Sequence, residues 1–247
     1  MSLLATPTNP RDLTDLTADH GDHCEAQFPA VGGRDIHLRG VTISYHRAGQ
    51  TVTPISNLDL YASANRVTAL VGRSGSGKTS LLSCMAAMLK PQSGAIWLGG
   101  IEVTALRKAA LDDYRRNHIG VIHQHYNLLP SLTAIENVAV PLRLTGLGRR
   151  ESTERADSLL QELGLGHYLS HRPGQLSGGQ QQRVAVARAL ATNPSLVLAD
   201  EPTAHLDGSS VDDVSALLRS IAASGRTVIV ATHDDRLLPM VDQQIHL

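Results

Sequence analysis

Gly72-Arg73-Ser74-Gly75-Ser76-Gly77-Lys78-Thr79 is the segment of this chain best suited to hold a phosphate. Its glycines permit backbone angles and close approaches that side chains forbid, so successive N–H groups can turn inward toward anionic oxygens. Lys78 adds a point charge for the outer phosphates of a nucleotide, and the Thr79 hydroxyl is placed to ligate a magnesium ion. The flanks agree. Residues Arg66–Val71 read as a short buried strand, and Leu81, Leu82, Met85, Met88 and Leu89 form a helical stripe starting from Lys78. Strand, glycine-rich turn and helix in that order are the context such a loop needs, because the helix N-terminus adds its partial positive charge.

Two further segments carry chemistry. Ser195–Ala199 reads as a second buried strand, and it ends in Asp200-Glu201. Neighbouring strand residues point to opposite faces, so the two carboxylates can do different work. Asp200 would orient the magnesium shell through water, and Glu201 would face the space beyond the terminal phosphate and polarise an attacking water as general base. Leu176-Ser177-Gly178-Gly179-Gln180 then offers a serine, glycine N–H groups and a helix N-terminus, which together form a second anion site. A glycine-containing cap on a helix from Arg183 to Ala191 would explain the serine–glycine pair equally well.

The order of these segments carries a resemblance. Gln124 follows the strand Ile119–Ile122, Ala204-His205-Leu206-Asp207 follows the acidic pair, and His233 follows the strand Thr227–Ala231. Over roughly Val41 to Leu247 the chain resembles the ABC-type ATPases, the nucleotide-binding subunits of ATP-binding cassette transporters. That resemblance implies an α/β fold: a P-loop NTPase (RecA-like) core, a β-rich N-terminal subdomain and an inserted α-helical signature lobe. It implies ATP and Mg2+ as ligands. It also implies a head-to-tail dimer in which ATP on one copy's Gly72–Thr79 loop is capped by the other copy's Ser177 and Gly179. Each motif occurs once, so a second ATP-binding cassette is required, from a second copy of the chain in a homodimer or from a related chain in a heterodimer.

The resemblance distributes roles residue by residue. Nucleotide contacts fall to Gly72, Arg73, Ser74, Gly75, Ser76, Gly77, Lys78, Thr79 and Ser80, with Ser177, Gly178, Gly179, Gln180 and Asp207 acting across the dimer. Tyr45 matches the aromatic residue that stacks on adenine; a plain strand tyrosine is the alternative. Thr79, Gln124 and Asp200 would serve the metal, and Glu201, His233 and Gln124 the hydrolytic step. His123 and His125 flank Gln124 where phenylalanine often precedes it, which makes the coupling region more polar or leaves two solvent-facing histidines. Ala204 and His205 stand where serine or asparagine is common.

Tyr126–Val138, Pro141-Leu142 and the run Gln180–Gln182 are most similar to the lipoprotein-release and macrolide-export ATPase group. The implied function is MgATP hydrolysis driving export or mechanotransmission by transmembrane permease subunits, from a peripheral position at the cytoplasmic face of the membrane. An ATP-switched regulatory adaptor that transports nothing is the alternative. A DNA-repair cassette is disfavoured, since no long coiled-coil insertion separates Thr79 from Leu176.

Composition fits. At 247 residues and 42% hydrophobic, the chain can bury one sizeable core. A formal charge of −1 offers no basic excess for nucleic acid. The two cysteines, Cys24 and Cys84, make no disulfide framework, and no apolar run is long enough to cross a bilayer. Residues 1–35, rich in Thr, Asp, Pro and Gly, read as a disordered tail, and His20, His23 and Cys24 within it lack a fourth ligand for a metal. Residues 36–247 form the ATPase domain: a β-rich start (Ile36–Tyr45, Leu58–Tyr61), the phosphate-loop unit, a helical insertion of about 124–182 with its stripe Ala156, Leu159, Leu160 and Leu163, and an α/β return with a helix near Ser209–Ala223.

Overall fold

The computed structural model of the chain describes residues 34–47, 50–204 and 208–247. Nearly all of the segment read as a tail, and Asp207 with it, lie outside the described residues. Arg34 and Asp35 are described, and both are bonded to the sheets. The Asp35 carboxylate accepts from the Ala64 N–H and the Tyr61 hydroxyl, each at 2.7 Å, and the Arg34 carbonyl accepts from the Thr227 hydroxyl at 2.6 Å.

Two sheets organise the chain. In the first, antiparallel, β2 (Gln50–Ala62), β1 (Ile36–Arg47), β4 (Ser93–Leu98) and β5 (Ile101–Glu102) lie in that order. In the second, parallel, the order is β6 (Ile119–Ile122), β7 (Leu196–Asp200), β8 (Thr227–Thr232), β3 (Val67–Val71) and β9 (Gln243–His246). Strands β3, β6, β7 and β8 are near-continuous apolar runs because both of their faces are covered, whereas the edge strand β9 is polar and partly exposed. Period-two alternation divides them between two cores. Leu70, Leu196, Leu198, Ile229 and Ala231 face the antiparallel sheet and the helix α1 (Lys78–Met85). Val67, Val197, Ala199, Val228 and Val230 face the opposite side, where α3 (Ala134–Leu144), α4 (Arg149–Glu162), α5 (Gly178–Leu190) and α6 (Gly208–Ala223) gather. A further helix, α2 (Ala109–His118), anchors itself through Tyr114, whose buried hydroxyl donates to the Met85 carbonyl at 2.9 Å.

Several element bounds differ from the sequence expectations, each for a local reason. Helix α1 stops at Met85, short of Met88 and Leu89: Ala87 takes a left-handed φ of 55° and the Met88 N–H returns to the Ser83 carbonyl at 2.9 Å. That closes the helix as a Schellman turn does and leaves Met88 58% exposed. Strand β2 begins well before Leu58, since pairings such as Ile43↔Ile55 and Tyr45↔Val52 with β1 support a stretch of weak apolar pattern. Helix α5 starts at Gly178 rather than Arg183, because Ser177 caps it.

The far end of the connection after β6 is tied down by a side chain of α3. Asn137 on α3 is fully buried, accepts from the Leu129 N–H at 2.7 Å and donates to the carbonyls of Leu129, Leu132 and Thr133 at 3.0–3.2 Å. A leucine of similar size would leave those backbone groups unpaired in the interior. Asn137→Leu is therefore expected to lose about 2–4 kcal/mol of stability and about 5–15 °C in Tm, read by calorimetry. An unchanged melting point would show that the amide holds nothing.

Candidate active site

Parallel strands end at one edge of their sheet, and four of the loops that sequence analysis marked for chemistry leave from that edge. Gly72 follows β3, Gln124 follows β6, Glu201 follows β7 and His233 follows β8. Open α/β sheets bind ligands just beyond these carboxyl ends.

The phosphate loop is built as its glycines require. A side chain at Gly72 would come within 2.6 Å of the Ser76 hydroxyl and 2.9 Å of the Leu247 carbonyl. Gly77, which starts α1, has a φ of 98° and sits against Ile55 of β2. The antiparallel sheet thus braces the loop. Lys78 is buried, and its ammonium donates to the carbonyls of Gly72 at 2.6 Å and Arg73 at 3.1 Å, so the charge is held across the loop's own mouth. The residues between, Arg73, Ser74 and Gly75, are exposed. The Tyr45 hydroxyl on β1 donates to the Ser80 hydroxyl at 2.7 Å, which brings that exposed ring to the start of α1.

At the tip of β7 the two carboxylates separate as expected. The Thr79 hydroxyl donates to Asp200 at 3.2 Å, so the loop's hydroxyl and the strand's carboxylate share one spot. Burial pushes the Asp200 carboxyl up and the Glu201 charge adds to that, while the Thr79 bond opposes it. A hard cation here would relieve the cost of that buried charge. Glu201 instead turns toward β8: its Oε1 lies 2.7 Å from His233 Nδ1, and its Oε2 accepts from the His233 N–H at 3.3 Å. Glu201 takes a φ of 47°, a left-handed geometry that a non-glycine residue adopts only under external constraint.

The serine–glycine segment sits elsewhere, at the start of α5. Ser177 and Gln180 form a reciprocal capping box, at 3.3 Å and 2.9 Å, so the helix-cap explanation holds for the serine. It does not account for the glycines. Among the described residues outside its own helix turn, nothing lies within 4 Å of where a Gly179 side chain would be, and only the Tyr126 hydroxyl, at 3.7 Å, approaches that of Gly178. Gly178 is exposed and Gly179 half-buried, and no hydrogen bond among the described residues joins Ser177–Gln180 to Gly72–Ser80.

Gln124 is half-buried in the turn after β6, beside His123, whose imidazole is pushed down by burial and by the Arg188 charge. Five residues to which sequence reasoning gave no role at the site support this edge. Gln182 and Arg188 on α5 bond to the backbones following Glu201 and Gln124. The Thr203 hydroxyl donates to Asp234 at 2.8 Å, and Arg236 holds the Asp234 carboxyl down at about 2. The available signal was a polar residue on an otherwise apolar helix face, as at Gln182 between Gly179 and Val186.

Comparison with known proteins gives a consistent result. The family described as ABC transporter matches residues 55–204. An ABC transporter ATP-binding protein of Mycobacterium tuberculosis is 50% identical over 86% of this chain and 64% of its own length. The macrolide export ATP-binding/permease protein MacB 1 of Yersinia pestis is 42% identical over 86% of this chain and 33% of its own. The chain thus spans about two thirds or less of these curated relatives. A solved dimer, a post-hydrolysis state of the ATP-binding cassette MJ0796 bound to ADP and Pi, superposes with a TM-score of 0.79 at 36% identity, covering 86% of this chain and 94% of that one. Family match, sequence identity and superposition agree, and the chain belongs to the ABC transporter family.

Proposed function

We propose that this chain is the ATP-hydrolysing subunit of a membrane export or mechanotransmitting complex, working as a head-to-tail dimer with a second copy of itself. The observation that carries this is the division of anion-binding groups. Lys78, Asp200, Glu201 and His233 converge on one edge of the parallel sheet, while the glycines of the second anion site stand apart from them at the start of α5, with open space beside them. Only a facing copy can bring such a segment over the phosphates.

Within that dimer each residue has a defined task. Lys78 exchanges the Gly72 and Arg73 carbonyls for the outer phosphate oxygens of ATP, and the loop N–H groups hold the inner ones. Thr79, Asp200 and Gln124 would hold a magnesium ion, to which hard oxygen ligands are suited. When bound, such an ion would supply positive charge against the phosphates. Glu201 accepts the proton of the attacking water. In the present arrangement its carboxylate is occupied by His233, so a swing of that ring toward the terminal phosphate releases the base at the moment the substrate is in place. Ser177 and the Gly178 and Gly179 N–H groups close the site from the facing copy.

A groove beside this edge suits the permease. It has a volume of about 410 Å³ and lies between α2, β6, α3 and α5, with Arg116 and Arg188 beside Val140, Pro141 and Leu144. Leu144 is 65% exposed. The mixture of cations and apolar side chains fits an amphipathic cytoplasmic segment with acidic residues. No helix among the described residues is long and apolar enough to cross a membrane, and a peripheral location at the cytoplasmic face follows from attachment to such a partner.

Two experiments test this. Glu201→Gln should keep ATP binding and accumulate an ATP-bound dimer on gel filtration with MgATP, whereas Lys78→Ala should bind ATP at least about tenfold more weakly. A Glu201→Gln protein that turns over at the parental rate removes Glu201 from its role. Leu144→Asp should abolish co-purification with the membrane partner while the isolated protein still dimerises with ATP; full retention of the partner would place the docking surface elsewhere.

A further inference from the structure

Helix α5 does more than present Ser177 and its glycines. Gln182 lies just over one turn inside the helix and is 3% exposed. Its Nε2 donates to the Pro202 carbonyl at 2.6 Å, and Pro202 is the residue directly after Glu201. Further along the same helix, Arg188 donates to the carbonyls of Asn127 at 2.6 Å and Tyr126 at 2.7 Å, on the loop that follows Gln124. One rigid rod therefore grips the backbone beside both groups that handle the attacking water. Its N-terminus is the segment that faces the other copy.

The grip on Pro202 has the form of a positioning device. Proline carries no N–H, so its carbonyl is the one backbone polar group by which that peptide can be held. On the other side, Thr203 is held by Asp234, next to His233, and the Glu201 N–H donates to the Ala231 carbonyl at 2.8 Å. The left-handed Glu201 backbone is thus over-determined from two directions. Gln182 supplies the side facing α5.

We infer that Gln182 is a positioning residue through which occupancy of the facing copy's nucleotide site sets the placement of Glu201 in its own site. This rests on the head-to-tail dimer proposed above. In that dimer, Ser177–Gly179 of one protomer lie on the nucleotide held by the other's Lys78, while Gln182 of the same helix reaches its own protomer's Glu201. The two points are about 7 Å apart along the axis, so a displacement of the cap arrives at Gln182 undiminished. Arg188 carries the same displacement to the Gln124 loop. Filling one site therefore primes the other, and ATP turnover is cooperative.

The test is steady-state hydrolysis against ATP concentration for the parent, Gln182→Met and Gln182→Lys. Methionine keeps the length and removes the donor; lysine restores one. The parent should show a Hill coefficient approaching the limit of about 2 for two sites. Gln182→Met should bind a fluorescent ATP analogue like the parent, yet lose up to about a hundredfold in kcat and fall to a Hill coefficient of about 1, with partial recovery in Gln182→Lys. A parental Hill coefficient in Gln182→Met, whatever its kcat, overturns the inference, as does a non-cooperative parent.

A second measurement needs no change at Gln182. In mixed dimers carrying Lys78→Ala in one protomer, ATP held by the intact copy should slow amide exchange across residues 199–204 of the Lys78→Ala protomer. Unchanged exchange there overturns the inference too. Dimer formation by Glu201→Gln is scored separately on gel filtration, so loss of the dimer itself is distinguishable from loss of coupling within it.

Discussion

The parallel register of β6, β7, β8 and β3 is the constraint on which the rest of this molecule depends. Because these strands run the same way, Gln124, Glu201, His233 and the glycine loop must all emerge at one edge, although they lie far apart along the chain. The pairing is continuous, with Val71 opposite Thr232 and Asp200 opposite Ala231, so adjacent strand ends are level with one another. Catalytic geometry here is largely sheet geometry. The 3.2 Å contact between Thr79 and Asp200 and the 2.7 Å contact between His233 and Glu201 are the local expression of strands spaced by their backbone hydrogen bonds.

In the proposed dimer the sheet edge supplies only half of a phosphate site, and the other half is exported to α5. That separation explains why Ser177 can serve as a helix cap within its own chain and still belong to an anion site. The cap uses the serine oxygen as acceptor from the Gln180 N–H, whereas phosphate would draw on the hydroxyl hydrogen and the glycine N–H groups. The two uses do not exclude one another. Arg188 and Gln182 then make the exported half answerable to the sheet edge it left.

How much of this was legible in the sequence follows from where the side-chain signal is strong. Strands β3, β7 and β8 are buried on both faces and read as unbroken apolar runs, so they and the loops after them stood out. The phosphate loop was legible because glycine, lysine and threonine at fixed spacing have few other uses. The first half of β2 was not, since Thr51, Thr53 and Pro54 owe their strand conformation to pairing with β1 rather than to an apolar face. Nor was the end of α1, where a backbone turn at Ala87 overrides an apolar pattern that continues to Leu89. Arg188 escaped notice, and Gln182 stood out only as part of a glutamine run, for a different reason: their partners are main-chain carbonyls, which have no residue type to read. Asp207 was assigned by motif and lies outside the described residues.

Helix α1 shares its apolar face with the antiparallel sheet on one side and the parallel sheet on the other. Any tilt of it would open gaps in both layers, and close-packed interiors resist that strongly. The nucleotide's anchorage is accordingly the stationary frame of the machine. Work has to be delivered by whatever moves relative to it, and the half-buried α5, with a bare leading end, is the natural lever.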